Sequence, residues 1–292
     1  MTVIRTFPTA GWTPAAAAAA KGDTTVTLCF PCRDEAATIG PLVAAARARL
    51  VDDTGLVDEL LVLDDRSTDA TAATAASAGA TVVSIDDVHR VHGAGHGKGN
   101  ALWASLLVSQ GDLVVWCDGD VTTFEPVWVA HLLAPLLTDP TVDLVKALYH
   151  RPTTDGGGGR TTELVARPLL SLFAPDLAGL AQPLSGEYAG RRSALEAIPF
   201  VEGWGAEIGM VLDITARSGA RAIAQVDLGE RRHRHRSLHE LSVQAAEVLA
   251  TALGRVGRGA DQGAEAVPAL HRADGSVVPL HLAERPPIAS LA

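Results

Sequence analysis

Short apolar runs alternate with helical stretches through the first half of the chain, and this alternation restricts the possible folds more than any other feature. The runs are Val26–Pro31, Leu60–Leu63, Thr81–Ser84 and Leu113–Cys117. Such runs predict buried strands, and their alternation with helices predicts a parallel sheet of βαβ units. After the second run, Ser67–Asp69 carries side chains typical of a helix N-terminus. The carboxyl ends of parallel strands share one edge, where open α/β sheets bind ligands.

Acidic residues follow three of these runs. Asp34 and Glu35 follow the first, Asp64 and Asp65 end the second, and Asp118-Gly119-Asp120 follows the fourth. We expect these clusters to converge in one cleft, where like charges are destabilising unless a cation or hydrogen-bond donors compensate them. Paired carboxylates suit Mg²⁺, which proteins commonly hold together with substrate phosphates and water. The alternative reading of the triplet is a polar turn.

A glycine-rich segment, Gly93–Asn100, precedes the helical stretch Ala101–Ser109. Glycines let the backbone approach a phosphate, and Lys98 at a helix start adds a positive charge. The spacing is not that of a Walker A loop, and no GxGxxG follows the first strand, which disfavours a dinucleotide-binding domain. The segment therefore indicates mononucleotide binding, with a flexible, solvated loop as the alternative.

Motifs in both halves of the chain carry a resemblance to a known family. Those of the first half resemble the nucleotide-sugar half of a GT-A glycosyltransferase: Phe30–Glu35, Leu63–Asp69, Gly97–Gly99 and Asp118–Asp120. Those of the second half closely resemble actinobacterial glucosyl-3-phosphoglycerate synthases, which are related to mannosyl-3-phosphoglycerate synthases: Gly158–Pro168, Gln182–Tyr188, Gly205–Gly209, Ala224–Gly229 and Glu284–Pro287. The similarity covers nearly the whole chain.

The resemblance implies an α/β GT-A fold, with a Rossmann-like, mostly parallel sheet and helices on both faces. It also implies a metal-dependent, retaining transfer of glucose from UDP-glucose or GDP-glucose to the 2-hydroxyl of 3-phosphoglycerate. Residues implied to bind the nucleotide sugar are Pro31, Cys32, Arg33, Asp34, Glu35, Asp65, Lys98, Asp118, Gly119 and Arg231. Residues implied to bind the acceptor are Gly159, Arg160, Thr162 and His235. Asp120 and His233 would ligate Mg²⁺ or Mn²⁺, while Glu207, the Leu184 carbonyl and Asp120 would lie at the reaction centre.

Two mechanisms stay open at this stage. Retention in two steps needs a carboxylate nucleophile about 3 Å from the anomeric carbon, for which Glu207 and Glu187 are the candidates. The resemblance instead implies front-face attack, in which the acceptor hydroxyl enters on the side of the leaving group. The alternative role for Glu207 is an ion pair with a nearby arginine.

Two basic segments fit small anionic ligands. The loop Gly156–Thr162 joins Arg160 to glycines and hydroxyls, as a carboxylate and phosphate ligand requires, although a disordered glycine linker is the alternative. The run Arg231–Arg236 lies in a chain of net charge −10 and lacks interleaved aromatic residues, which disfavours nucleic acid as a partner. Its imidazoles make Mn²⁺ as suitable as Mg²⁺.

The chain departs from the family pattern at some positions. Cys32-Arg33-Asp34 and Asp65-Arg66 replace residues that would frame the nucleotide base, so the choice between UDP and GDP stays open. His235, Trp204 and Ala206 are further local variants, so another sugar or acceptor is an alternative.

Composition sets the remaining expectations. We expect a flexible N-terminal arm (1–22), a nucleotide-sugar-binding half (23–150), an acceptor-binding half of the same domain (151–258) and a C-terminal tail (259–292). No uncharged apolar stretch reaches the roughly 18 residues of a transmembrane helix. Cys29, Cys32 and Cys117 are an odd number of cysteines, which is typical of the cytoplasm, and Cys29 inside a strand disfavours a redox CxxC site. The amphipathic stretch Leu238–Leu253 predicts a helix that packs on the sheet or in a homodimer.

Two other function classes remain as alternatives. A nucleotidyltransferase would carry its glycine-rich motif directly after the first strand, which this chain does not. A non-catalytic nucleotide-sugar-binding protein would have no need of Asp118, Asp120, Arg160 and His233 together.

Overall fold

The computed structural model describes residues 4–150, 159–231, 237–257 and 268–291. The strands are β1 (Arg5–Phe7), β2 (Val26–Cys32), β3 (Glu59–Asp64), β4 (Thr81–Ser84), β5 (Leu113–Trp116), β6 (Leu144–His150), β7 (Tyr188–Arg191), β8 (Phe200–Val201), β9 (Ile223–Glu230), β10 (Ala269–His271), β11 (Val277–Pro279) and β12 (Glu284–Arg285). Within the described residues, eight of them form one sheet in the order β1-β9-β6-β7-β5-β2-β3-β4. All neighbours are parallel except β7, which is antiparallel to both β5 and β6. The predicted, mostly parallel sheet is therefore confirmed.

Helices cover both faces of this sheet, as predicted. They are α1 (Pro14–Lys21), α2 (Ile39–Ala46), α3 (Thr71–Ser77), α4 (Ile85–His92), α5 (Gly97–Val108), α6 (Val127–Thr138), α7 (Arg167–Phe173), α8 (Arg192–Leu195), α9 (Ala206–Ser218) and α10 (Leu238–Arg255), with π-helical turns at Arg47–Asp52 and Thr162–Ala166. One apolar core joins the sheet to α1, α2 and α6. The other joins it to α5, α9 and α10 and contains the buried rings of Trp103, Trp116 and Tyr188. Because both faces are covered, the strands are apolar along nearly their whole length, as parallel strands of this kind are.

The strand order brings distant loops to one edge of the sheet. β2 lies between β3 and β5, with Cys32 beside Asp64 and Cys29 beside Trp116. Because β7 runs the opposite way and pairs Tyr188 with Trp116, its first residues lie at the carboxyl end of β5. β9 runs parallel to β6 and ends at the same edge. Loops after β2, β3, β5 and β9, and the turn before β7, therefore surround one site.

Both chain ends contribute more to the fold than we expected. The predicted flexible arm includes β1, which adds a parallel edge strand to β9, and α1, which packs against α6. In the predicted tail, β12 pairs with β8, and Arg285 is buried with its guanidinium 4.9 Å from the centre of the Trp103 ring. Short strands of this kind are invisible to sequence periodicity, because their partners are more than 80 residues away.

The predicted helix start at Ser67–Asp69 is wrong by a few residues. Helix α3 begins at Thr71, and its N-cap residue, Ala70, offers no capping side chain. The Ser67 hydroxyl accepts a hydrogen bond from the Asp34 N–H at 3.0 Å, and the Asp69 carboxylate accepts from the Thr71 and Ala36 N–H groups at 2.9 and 3.1 Å. These side chains join the loops after β2 and β3, and Asp69 also accepts from the first N–H group of α3.

Candidate active site

A cavity of about 370 Å³ lies at the loop edge of the sheet. Its lining residues are Pro31, Cys32, Arg33, Glu35, Asp65, His96, Gly97, Lys98, Ala101, Asp118, Gly119, Asp120, Gly203, Trp204, Glu247 and His281. The three acidic loops do meet here, through Glu35, Asp65 and the triplet. Cavities of about 300–1,000 Å³ are typical of small-molecule sites.

Of the residues predicted to bind a nucleotide sugar, Asp34 and Arg231 do not line this cavity. Asp34 has a left-handed backbone, with φ of 57°, and its carboxylate accepts hydrogen bonds from the Thr68 N–H and hydroxyl at 2.7 and 3.1 Å. Asp34 therefore shapes the loop that carries Arg33 and Glu35, and its contact with the nucleotide sugar stays a prediction. Arg231 lies behind Asp118, as described below.

The acidic triplet is held in place by its neighbours. The Thr38 hydroxyl donates to the Gly119 carbonyl at 2.6 Å. A Cβ atom on Gly119 would lie 2.5 Å from Cys32 Sγ, so the cysteine fills the space that a larger residue would need. Cys32 and Gly119 thus fit each other, and together they set the position of Asp118 and Asp120.

Lys98 joins two carboxylates in the centre of the pocket. Its Nζ lies 2.6 Å from Asp118 Oδ1 and 2.7 Å from Glu207 Oε1. Burial alone would lower the pKa of Lys98, but the two carboxylates raise that pKa well above its usual value, so the ammonium stays charged. The alternative role for Glu207, an ion pair with an arginine, is corrected: its partner is this lysine.

The first turn of α5 places Lys98 through a close approach of two backbones. The Gly99 N–H donates to the Glu202 carbonyl at 2.9 Å, and a Cβ atom on Gly99 would lie 1.7 Å from the Val201 carbonyl oxygen. Only glycine fits at this point. The glycine-rich segment therefore owes part of its composition to packing on β8, in addition to any role in phosphate binding.

Arg231 forms a second charge cluster behind the triplet. Its Nε donates to Glu187 Oε1 at 2.8 Å, one terminal nitrogen donates to Asp118 Oδ2 at 2.7 Å, and the same nitrogen lies 4.0 Å from Asp120 Oδ1. Burial would lower the pKa of Arg231, but Glu187 and other nearby acidic groups raise it. For Glu187, which is fully buried, burial raises the pKa and Arg231 partly offsets this. Glu187 is fully buried and does not line the cavity, which disfavours it as a nucleophile.

The turn that contains Leu184 lies against Asp118, and a hydrogen bond from the buried Lys146 holds it in place. A Cβ atom on Gly186 would lie 1.8 Å from Asp118 Oδ2. The buried Lys146 donates to the Ser185 carbonyl at 2.7 Å, and burial lowers the pKa of its ammonium to about 7. Leu184 itself is partly buried and does not line the cavity.

The oxygen donors of Asp118 and Asp120 fit a divalent cation that also binds a diphosphate. Among the described residues, no cluster of three or more acidic, histidine or cysteine side chains could hold a metal by protein ligands alone. Mg²⁺ is commonly bound through one or two carboxylates together with phosphates and water, which matches this arrangement. His233, the other predicted ligand, lies outside the described residues, and so does His235.

The remaining acceptor candidates lie at the start of the π-helical turn before α7. Gly159 has a left-handed φ of 85°, Arg160 is half-buried, and the Thr162 side chain is buried. None of the three lines the cavity described above. The predicted acceptor residues are thus near one another but outside this part of the pocket.

Sequence reasoning missed most of one wall of the pocket, in which Trp204, Glu247 and His281 lie beside His96 of the glycine-rich segment. Trp204 was noted only as a local variant. The one available signal was Glu247, a charged residue on the same helical face as the buried Val248, Thr251 and Ala252. A buried carboxylate on an apolar face indicates a specific partner.

The three cysteines are free, buried thiols. Burial raises the pKa of Cys29 to about 12 and raises the pKa values of Cys32 and Cys117 as well. Thiols in this state are poor nucleophiles. No helix in the described part of the chain is long and apolar enough to cross a membrane.

Comparison with known proteins adds to this geometry. The family model for glycosyl transferase family 2 matches residues 27–198. The glucosyl-3-phosphoglycerate synthase of Mycolicibacterium paratuberculosis is 45% identical over 262 residues, which cover 87% of this chain and 79% of the relative.

Two crystal structures of glucosyl-3-phosphoglycerate synthase from Mycobacterium tuberculosis are similar throughout. The complex with Mn²⁺, UDP-glucose and phosphoglyceric acid has a TM-score of 0.90 at 42% identity and matches over 100% of both chains. The complex with Mg²⁺ and UDP has a TM-score of 0.87 at 42% identity over 99% of both chains.

Proposed function

From the finding that this chain belongs to glycosyl transferase family 2 and, within it, to the glucosyl-3-phosphoglycerate synthases, we propose that it transfers glucose from UDP-glucose to the 2-hydroxyl of 3-phosphoglycerate. The chain is a glycosyltransferase with the GT-A fold. The observation that carries the substrate proposal is the acidic pocket at the ends of β2, β3 and β5. It is a single cavity whose lining includes Pro31, Lys98 and Trp204.

The donor would bind along this pocket. Pro31, Cys32, Arg33, Glu35 and Asp65 would contact the base and ribose, because they form the lining contributed by the loops after β2 and β3. Lys98 would contact the phosphates or the sugar, since it is the cation that lines the cavity beside Asp118. Arg231 would act through Asp118, which it holds.

Mg²⁺ or Mn²⁺ would be held by Asp120 and His233, with Asp118 close by. When bound, the cation would offset the charge that develops as the nucleotide diphosphate leaves.

At the reaction centre, the bond from the anomeric carbon to the diphosphate oxygen breaks and a bond to the acceptor's 2-oxygen forms. The proton of that hydroxyl passes to the departing phosphate oxygen. We favour front-face attack over a covalent intermediate, because Glu187 is fully buried and Glu207 is paired with Lys98 at 2.7 Å. Glu207 and the Leu184 carbonyl would instead orient the transferred sugar.

The acceptor would bind between Gly159, Arg160, Thr162 and His235. Arginine and backbone donors suit its carboxylate and phosphate groups. We retain the two halves (23–150 and 151–258), a homodimer and a cytoplasmic location as further proposals. Light scattering at micromolar protein that reports a 30.3 kDa particle would refute the dimer.

A mass-spectrometric screen tests the proposed reaction. Parallel wells contain Mn²⁺ or Mg²⁺, 3-phosphoglycerate, and UDP- or GDP-linked glucose or mannose. We expect a hexosylated phosphoglycerate with UDP-glucose. Product with GDP-glucose alone would overturn UDP-glucose as the donor and would mean that the loop with Asp65 and Arg66 frames guanine. Absence of turnover with every donor would overturn the proposed reaction.

A further inference from the structure

Glu247 of α10 is a buried carboxylate that holds two other pocket residues by their main chains. It is 1% exposed. Its Oε2 accepts a hydrogen bond from the Trp204 N–H at 2.8 Å, and its Oε1 accepts from the His281 N–H at 2.9 Å. All three residues line the cavity, although they come from three separate segments.

The fit around this carboxylate is tight. A Cβ atom on Gly203 would lie 2.3 Å from Glu247 Oε2 and 2.7 Å from the His281 carbonyl oxygen. One on Gly205 would lie 2.0 Å from Thr251 Oγ1, one turn further along α10. Helix α10 therefore lies directly on the turn 203–205, which leads into α9 and Glu207.

The C-terminal segment, residues 281–285, also contacts the glycine-rich segment and the residues around it. The rings of His281 and His96 are stacked, with centroids 4.4 Å apart and planes at 33°. The His96 N–H donates to Glu202 Oε2 at 3.0 Å, and Arg285 Nε lies 3.2 Å from Glu202 Oε1. Lys98 follows His96 by two residues. The contacts of His281 and Glu202 with His96 therefore also help to position Lys98.

We propose that Glu247 is a positioning residue for the donor: by holding the main-chain N–H groups of Trp204 and His281, it fixes the C-terminal segment as a wall of the nucleotide-sugar pocket. This inference rests on the proposed function. It assigns a role in donor binding to Glu247 and to the C-terminal segment 281–285, which lie beyond the part matched by the family model.

The chemistry of the contact makes the role specific to a carboxylate. A carboxylate offers acceptors on both oxygens, and both partners here are donors. Glu247→Gln keeps the shape but turns an NH₂ group towards one N–H, which leaves a buried donor without an acceptor. The pocket wall would then shift although the core stays packed.

Direct binding is the primary test. UDP-glucose with Mn²⁺, without acceptor, is titrated calorimetrically into wild type, Glu247→Gln and the control Asp213→Asn. Asp213 of α9 pairs with Arg255 of α10 at 3.0 Å and does not line the pocket, so the control disturbs the same helix elsewhere. We expect the Kd to rise about tenfold in Glu247→Gln, as for one unsatisfied buried donor, and less than about twofold in the control.

An unchanged Kd in Glu247→Gln, or an equal rise in both variants, overturns the inference. Failure of the wild type to bind UDP-glucose would instead contradict the proposed function, which separates the two. Steady-state kinetics add a second readout: the donor KM should rise by about the same factor as the Kd while the acceptor KM stays within about twofold. A fall in kcat alone would contradict a donor-positioning role.

A second variant covers the case in which Glu247→Gln does not fold. His281→Ala keeps the main-chain contact with Glu247 and removes only the ring stacked on His96. We expect it to weaken UDP-glucose binding about threefold, which corresponds to the loss of one ring contact. Wild-type affinity in this variant would contradict the assignment of the C-terminal segment to the donor wall.

Discussion

The carboxylates in the centre of the pocket and the carboxylate in its C-terminal wall are held by different kinds of partner. Asp118, Glu187 and Glu207 each lie 2.6–2.8 Å from a lysine or arginine nitrogen. Glu247 accepts instead from two main-chain N–H groups. Both arrangements give hydrogen-bond donors to carboxylates that are buried or half-buried, but only the first balances charge with charge.

This difference decides which contacts of the site can change when a ligand binds. A lysine or arginine side chain can turn from a carboxylate to a phosphate when a ligand binds, because its stem is flexible. A main-chain N–H is fixed by the fold. We therefore expect Lys98 to redistribute its contacts when the donor binds, while Trp204 and His281 keep theirs with Glu247.

The largest effect is expected when the central cation is removed. Lys98→Met leaves Asp118 and Glu207 without their shared partner, and removing one member of a buried pair typically costs about 3–5 kcal/mol of stability. Loss of a positive charge beside a departing diphosphate should lower kcat/KM on the order of 100-fold or more. Denaturant unfolding and initial rates measure the two effects separately.

Lys98→Arg is the matched control, because it keeps the charge on a longer side chain. We expect it to recover most of the stability and part of the activity. If Lys98→Met retained kcat/KM within about threefold of wild type, ion pairing in the centre would be structural only.

The central region could be predicted from sequence and the wall could not. Acidic residues directly after apolar runs give a local signal, and the parallel-sheet rule then places them together, as Asp65 and Asp118 show. Asp34 follows the same pattern, yet its side chain turns to Thr68, because loop geometry is decided by contacts that no local pattern contains. His281 is placed in the pocket wall by its main-chain contact with Glu247 of α10, a contact between distant residues that no local pattern predicts.

A smaller effect is expected from crowding the wall. Gly203→Ala places a methyl group 2.3 Å from Glu247 Oε2, so the turn or α10 must shift. Overpacking of this kind costs about 1–3 kcal/mol, and the shift should weaken UDP-glucose binding several-fold. Thermal unfolding and calorimetric titration check the two outcomes.

Gly254→Ala is the counterpart on the same helix. Gly254 lies within α10, and an added Cβ would meet nothing within 4 Å. It should stabilise the protein by about 0.5–1 kcal/mol, because alanine is the better helix former, without any change in ligand affinity. Equal affinities in both glycine variants would show that the wall tolerates displacement.

The mildest test changes pH and compares Lys146→Met with wild type. Burial lowers the pKa of Lys146 to about 7 from 10.5, so between these values the unfolded chain binds a proton that the native protein does not. Wild-type stability should therefore gain about 1.4 kcal/mol per pH unit from this residue as pH rises through that window, and nothing below it. Urea unfolding at pH 6, 7.5 and 9 measures this. Relative to wild type, the free energy of unfolding of Lys146→Met should be highest at pH 6 and should fall progressively at higher pH. A pH-independent difference would mean that the nearby carboxylates of Glu207 and Glu187 keep the Lys146 ammonium charged in the native protein. Charge pairing in the centre of the pocket would then offset burial as fully as the main-chain hydrogen bonds do for Glu247 in the wall.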